Sequence, residues 1–219
     1  MNDILTEIDS GVMTIVLNRV EKKNAITAPM YSAIADALQK AANDVAIRVV
    51  VFQGHETTFC AGNDIGDFLN HPPTAENSPV YRFLKTISTF RKPLVAAVCG
   101  AAVRVGTTML LHCDSVYAGD NAVLSLSFVK LGLCPEAASS LLAPQLFGYH
   151  RAAEVLLLGE PFKADAARAM GPVNRVAPPA DVNGLAQTQV RRRVTKPMSS
   201  LLESKRSKRP PSPTALRSV

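Results

Sequence analysis

No apolar stretch in this chain approaches the roughly 20 residues of a membrane-spanning helix, which excludes a helical span. The opening MNDILTEIDS lacks both the basic start and the apolar block of a secretory signal, so a cytoplasmic address is expected. Cysteine is sparse: Cys60, Cys99, Cys113 and Cys134 are far apart, with no CxxC pair and no histidine cluster beside them. This argues against a disulfide framework and a zinc centre, and the small or apolar neighbours predict four reduced, buried thiols. Short internal repeats are also missing.

What remains is an ordinary globular composition. The chain has 219 residues, 47% hydrophobic and 19% charged, enough for one domain with a sizeable core. The net charge of +6 invites a nucleic-acid reading, but its distribution opposes one. Nine of the 24 basic residues and one of the 18 acids, Glu203, lie from residue 191 onward, leaving 15 basic and 17 acidic residues in 1–190. The basic end, KRSKRPPSPTALRSV, carries no aromatic residue on which a base would stack. The expected organisation is a core over 1–190, then a C-terminal helix and a mobile basic tail over 191–219. No nucleic-acid or membrane partner is expected.

The segments 12–18, 47–53 and 93–99 are rich in β-branched and apolar residues and read as strands, the last two buried on both faces. A helix is predicted over 28–43, with Pro29 in its first turn, and another around 106–112. Helical patterns follow at 137–147, 151–158, 164–169 and 181–206, with a turn and short strand at 171–176. Strands alternating with helices indicate an α/β fold. The polar, proline-rich 70–79 reads as a surface loop, either a lid or a plain connector.

Three stretches combine small residues with chemistry. In TTFCAGNDIGDF, 57–68, a buried strand runs through a glycine into an Asn-Asp pair before a probable helix. In KPLVAAVCGAAVRVGTTMLLHCD, 92–114, a second buried strand ends in a similar turn. Two such turns on adjacent strands would bring two backbone N–H groups around one anionic oxygen. In LGLCPEAASS, 131–140, Glu136 is the single charged side chain. Each has a plain alternative. Gly, Asn and Asp are common turn residues, and Pro135 and Glu136 fit the first two positions of a helix, where the dipole favours an acid. Burial would instead raise the glutamate's pKa and suit it to act as a general base.

Together with LNRVEKKNAIT (17–27), these stretches and the continuation to residue 176 resemble the crotonase superfamily, the enoyl-CoA hydratase/isomerase family. The resemblance runs from about residue 5 to about 206. It implies a crotonase-like spiral of ββα units with a C-terminal helical region, assembled as a homotrimer or hexamer. The ligand it implies is an acyl-CoA thioester, with coenzyme A entering as part of the substrate and no metal or separate cofactor. The thioester oxygen would sit between the N–H groups of Asn63 and Val105. Ala61, Gly62, Asp64 and Ile65 match the backbone strip along the CoA chain, and Ala25 the adjoining wall. Lys22 and Lys23 match a basic place near the CoA phosphates, and Lys205 a basic residue reaching a nucleotide phosphate from a neighbouring subunit.

The acids separate the reactions within the family. Where hydratases carry two glutamates, this chain has Thr108 and Phe128. Glu136 matches the single catalytic glutamate of Δ3,Δ2-enoyl-CoA isomerases, with AGND and CPEAASS recurring around it. An isomerase is therefore expected. Hydration or another CoA-thioester reaction, and acyl-CoA binding without turnover, stay open as alternatives. Three departures bear on activity. Arg104 stands where glycine is usual and is expected to strain its turn or enter the acyl-CoA site, and Cys99 replaces a frequent asparagine. The ending RPPSPTALRSV matches nothing in the family, so a closing helix and its trimer contacts are expected to differ.

Overall fold

In the computed structural model, which describes residues 2–70, 75 and 77–208, the chain winds between two sheets. It opens with β1 (Ile4–Asp9), β2 (Val12–Leu17), α1 (Ala28–Asn43), β3 (Val49–Gln53) and β4 (Thr58–Cys60). Next come α2 (Ile65–Asn70), α3 (Pro79–Thr89), β5 (Leu94–Val98), β6 (Ala101–Val103), α4 (Val105–Thr108), β7 (Ser115–Gly119) and β8 (Val123–Ser125). The last part holds α5 (Ser139–Phe147), α6 (Tyr149–Leu158), β9 (Phe162–Lys163), α7 (Ala164–Met170), β10 (Arg175–Ala177), α8 (Pro179–Val194) and α9 (Met198–Lys208).

The larger sheet has the order β1-β2-β3-β5-β7-β10 and the smaller β4-β6-β8-β9. The chain passes from the first sheet to the second at β3–β4, β5–β6 and β7–β8, with helices between, which makes a ββα spiral. Within the larger sheet, β2, β3, β5, β7 and β10 pair in parallel, and only the edge strand β1 runs antiparallel.

Alternate residues of the parallel strands feed two cores, as expected of strands covered on both faces. Val49, Val51, Val95, Ala97 and Tyr117 pack against Val182, Ala186 and Val190 of α8. Val50, Phe52, Leu94, Ala96, Val98 and Val116 face the other way, toward Ile34, Leu38, Phe83 and the small sheet. Thr27 caps α1 by accepting from the Met30 N–H, and Pro29 lies in the first turn, where its missing N–H costs nothing. At the other end of α1, the buried Lys92 ammonium donates to the carbonyls of Ala41, Asp44 and Ile47.

Several expectations shift. The strand β1 is joined to β2 through Ser10 and Gly11, both at positive φ, the geometry of a two-residue hairpin turn. The helix expected at 106–112 is a four-residue α4 that tightens into a 3-10 turn over Met109–His112. The run 181–206 divides at Pro197 into α8 and α9, and the core boundary drawn at 190 falls inside α8. Of the thiols, Cys60 and Cys99 are buried, Cys113 is half-buried and Cys134 is exposed, because 131–134 runs along the surface. Residues 71–74 and 76 of the expected loop, and 209–219 of the tail, lie outside the described residues.

Candidate active site

Strands β4 and β6 lie side by side in parallel, Thr58 opposite Ala101 and Cys60 opposite Ala102. Their C-terminal ends therefore open at the same edge, the usual place for a ligand in parallel sheets. One leads into residues 61–64 and the other into Arg104 and Val105, as expected for two turns on adjacent strands. The next strand, β8, pairs in parallel with β6 and leads through Phe128 to the turn holding Glu136.

The 61–64 strip is held by a short ladder. Ala61 N–H donates to the Lys23 carbonyl, Ile26 N–H to Gly62, and Asp64 N–H to Ile26, at 3.0, 2.8 and 2.9 Å. In a parallel bridge of this kind the central residue, Asn63, points its own N–H and C=O away from the partner strand. The Asn63 N–H thus turns from the 23–26 segment. Asp64 caps α2 through the Asp67 N–H at 3.0 Å and takes Arg19 Nη1 at 2.7 Å. These donors, the Asp67 amide first and then Arg19, hold its carboxyl below the usual range. Arg19 also donates to the Ala25 carbonyl, and buried Asn24 reaches the carbonyls of Thr58 and Phe59. Lys22 and Lys23 are exposed at the outer end of this loop.

On the β6 side, Gly106 lets α4 approach β4: a β-carbon there would meet the Cys60 carbonyl at 2.7 Å. Arg104 has φ 50° and ψ −111°, a conformation glycine takes readily and other residues adopt at a cost of about 1–3 kcal/mol. The Arg104 turn is strained, as expected, and its side chain lines a cavity together with Glu136. Val105 opens α4 and is buried, and its N–H has no carbonyl four residues back within the helix.

Glu136 is not in a helix. The helix α5 starts at Ser139, after Ala137 and Ala138 in left-handed conformations at φ 54° and 53°. The dipole explanation for the acid therefore falls. The turn is fixed instead by hydrogen bonds. Ser139 donates to the Glu136 carbonyl from both N–H and Oγ, and His112 Nε2 lies 2.8 Å from the Ala137 carbonyl. The Glu136 Oε1 atom is sealed from solvent and bonds to nothing among the described residues. Burial pushes its carboxyl up to about 7, against the downward pull of Arg104.

Asn63, Arg104 and Glu136 line one cavity of about 400 Å³, closed by Phe68, Leu84 and Phe128 among other apolar side chains. Glu136 is the only carboxylate among its described lining residues. Thr108 is fully buried and its hydroxyl turns to the Val105 carbonyl, so neither it nor Phe128 brings a second acid. Ile65 joins the cavity wall. A larger groove, about 690 Å³, is lined by Arg82, Lys85, Arg91 and Lys92 but offers no carboxylate or thiol. Among the described residues no cluster of three His, Cys, Asp or Glu is placed to hold a metal ion.

Lys205 does not join the site. It is buried, its Nζ 2.8 Å from Asp114 Oδ2 and donating to the Lys92 carbonyl, so its charge is met inside its own chain. Within this one chain its ammonium is thereby taken up by Asp114 and the Lys92 carbonyl. Tyr31 was missed by sequence reasoning, although its hydroxyl donates to Asn63 Oδ1. On α1 it has the spacing of a core residue, and nothing local marks its second role.

Backbone strain gathers here. Apart from hairpin Ser10, the described non-glycine residues at positive φ are Lys23, Asn24, Arg104, Ala137 and Ala138, all on the segments that frame the cavity or its approach. The profile of the enoyl-CoA hydratase/isomerase family matches residues 7–212. The chain belongs to that family.

Relatives within the enoyl-CoA hydratase/isomerase family include rat enoyl-CoA delta isomerase 2, 36% identical over 92% of this chain and 53% of its own length. Mouse peroxisomal enoyl-CoA delta isomerase 3 is 37% identical over 80% of this chain and 57% of its own length. The chain thus spans little more than half of either. The solved structure of Pseudomonas aeruginosa OdaA superimposes with a TM-score of 0.93 at 44% identity, covering 99% of this chain and 88% of its own. The crotonase fold follows from this membership. No helix among the described residues is long and apolar enough to cross a membrane.

Proposed function

We propose that this protein is a Δ3,Δ2-enoyl-CoA isomerase in which Glu136 moves one proton. Its carboxylate removes a proton from C2 of a 3-enoyl-CoA. The C2–H electron pair forms a C1–C2 double bond, and the carbonyl π pair moves onto oxygen to give an enolate. The N–H groups of Asn63 and Val105 receive that oxygen. When the carbonyl re-forms, the C1–C2 π pair shifts to make the C2–C3 double bond, and the C3–C4 π pair takes the proton back from Glu136 at C4. Nothing is consumed, so one base suffices and no cofactor is needed beyond the CoA of the substrate.

The observation that carries this reading is the single carboxylate among the described residues lining the cavity, its Oε1 unbonded and out of water. A hydratase would need a second group to activate water, and Thr108 and Phe128 supply none. The strip Ala61, Gly62, Asp64 and Ile65, with Ala25 beside it, would accommodate the pantetheine chain, and Lys22 and Lys23 the phosphates. A homotrimer or hexamer in the cytoplasm completes the proposal, to be checked by solution mass and by locating tagged protein. The name of the peroxisomal mouse relative supplies the rival compartment.

The decisive assay follows conversion of 3-enoyl-CoA to the trans-2 isomer by wild type and Glu136→Gln. A drop of about 10²- to 10⁴-fold is expected for loss of a general base. Undiminished turnover in the variant would refute the assignment.

A further inference from the structure

The proton transfer just described has no use for Arg104, yet the fold holds this residue in a costly conformation inside the same cavity. Its Nε and Nη2 stand 3.3 and 3.4 Å from the point a β-carbon on Gly62 would occupy. The guanidinium therefore covers the residue immediately before Asn63, close against the face where Gly62 carries no side chain. Among the described residues no carboxylate or carbonyl receives its side-chain N–H groups, while the cavity it lines contains the unbonded Glu136 Oε1. Arg104 and Glu136 are the only charged groups among the described lining residues.

Proton removal at C2 places a full negative charge on the thioester oxygen. A backbone amide answers it with a neutral dipole. A guanidinium answers with a cation and a fork of donors, and charge-assisted bonds are about twice as strong as neutral ones. We propose that Arg104 is a catalytic residue of this protein: its guanidinium donates to the enolate oxygen alongside the Asn63 N–H. The oxygen site is then cationic, suited to thioesters whose C2 carries a proton that must be made acidic. A rival account is that the arginine merely fills the oxygen's place and blocks it.

This inference rests on an enolate forming in the cavity, as the isomerase reading requires. Its test uses acetoacetyl-CoA, whose bound enolate is read by its ultraviolet band. That readout is an equilibrium ionisation, independent of which base carries the proton. Wild type is compared with Arg104→Met, which keeps bulk and loses charge, Arg104→Gly, which loses both, and Arg104→Lys, which keeps the charge. Glycine removes the positive-φ penalty, so at least that variant folds, as its melting midpoint will verify.

If the guanidinium holds the oxygen, the ratio of bound enolate to keto form falls at least tenfold in both Met and Gly variants and recovers in part with Lys. Isomerisation kcat falls about 10²-fold in Met and Gly, the scale for losing one oxyanion donor. A rise in kcat or in bound enolate for Arg104→Gly would make arginine a plug and overturn the proposal. An enolate ratio in Arg104→Met equal to wild type, or no enolate band on wild type at saturation, would overturn it as well. Full isomerase activity in Glu136→Gln would instead defeat the base assignment and leave the Arg104 result standing.

Discussion

The Tyr31 hydroxyl donates a hydrogen bond to Oδ1 of Asn63, tying the first long helix to the residue whose backbone N–H turns away from its ladder partner. Tyr31 is almost fully buried with its ring 5.3 Å from that of Phe83. Burial first, and then the nearby Glu136 charge, keep its pKa well above the ordinary value, so the hydroxyl remains a donor at all working pH. Tyr31→Phe preserves the ring and removes the donor, leaving Asn63 Oδ1 unmatched. The expected cost is about 1–3 kcal/mol of stability. With the strip less firmly placed, kcat should fall about tenfold while KM changes little. Denaturant melts and steady-state isomerisation check both effects, and an unaltered kcat would show that the ladder alone orients the Asn63 amide.

Glu136 makes activity and stability oppose each other in pH. Its carboxyl titrates at about 7, raised by burial and restrained by Arg104. Tyr31 and Cys60, which also sense its charge, stay neutral because burial raises both. As a base, Glu136 must be ionised, so kcat/KM should rise with pH through about 7. Stability moves the other way. Between the ordinary value of 4.5 and about 7 the folded state holds a proton that the unfolded chain has released. Stability therefore falls as pH rises across that window, by at most about 3 kcal/mol, and levels off above it. Glu136→Gln should lose the kinetic limb and flatten the stability slope. Parallel stability curves for the two proteins would contradict the burial of this acid.

The strands β3 and β5 were legible because burial on both faces writes an unbroken apolar run, and α1 because Pro29 marks its first turn. The three-residue strands β6 and β8 are too short for any periodicity to register. The edge strand β1 is mostly exposed, and only its Ser10-Gly11 turn could have signalled a hairpin. At the site, glycine and Asn-Asp revealed the two turns, and the family resemblance assigned their N–H groups. The environment of Glu136 stayed ambiguous because Pro135 suggests a helix start, whereas Ala137 and Ala138 take left-handed conformations that alanine gives no reason to expect. The ion pair of Lys205 was not legible because its partner, Asp114, is distant in sequence and adjacent only once α9 docks.

That docking gives a prediction. Lys205 and Asp114 are 6% and 14% exposed, and their contact fastens α9 beside the start of β5, whose Leu94 N–H also donates to Asp114. Burial pushes the Asp114 carboxyl up, and Lys205 more than offsets this, leaving it below the usual range. Lys205→Met would strand a largely buried carboxylate, a change that commonly costs about 3–5 kcal/mol. Lys208, 3.3 Å from the other oxygen, should hold the loss near the lower figure. The KM for acyl-CoA should be unaffected. A raised KM at unchanged melting temperature would restore the phosphate-binding role.

Lys22 and Lys23 are the basic residues of the proposed CoA site that remain exposed, at the end of the loop whose Lys23 carbonyl receives the Ala61 N–H. Replacing both with alanine leaves that backbone ladder intact and removes two positive charges. Exposed ion pairs are worth roughly 0.2–1 kcal/mol each, so KM for an acyl-CoA should rise about two- to thirtyfold at low salt. Added salt should shrink the difference, since exposed charges are screened beyond about 10 Å at 0.1 M. An acyl-pantetheine thioester, which has no nucleotide phosphates, should bind wild type and the double variant equally. If the truncated substrate suffers the same loss, the lysines act on the loop rather than on phosphate, and the CoA chain must enter by another route.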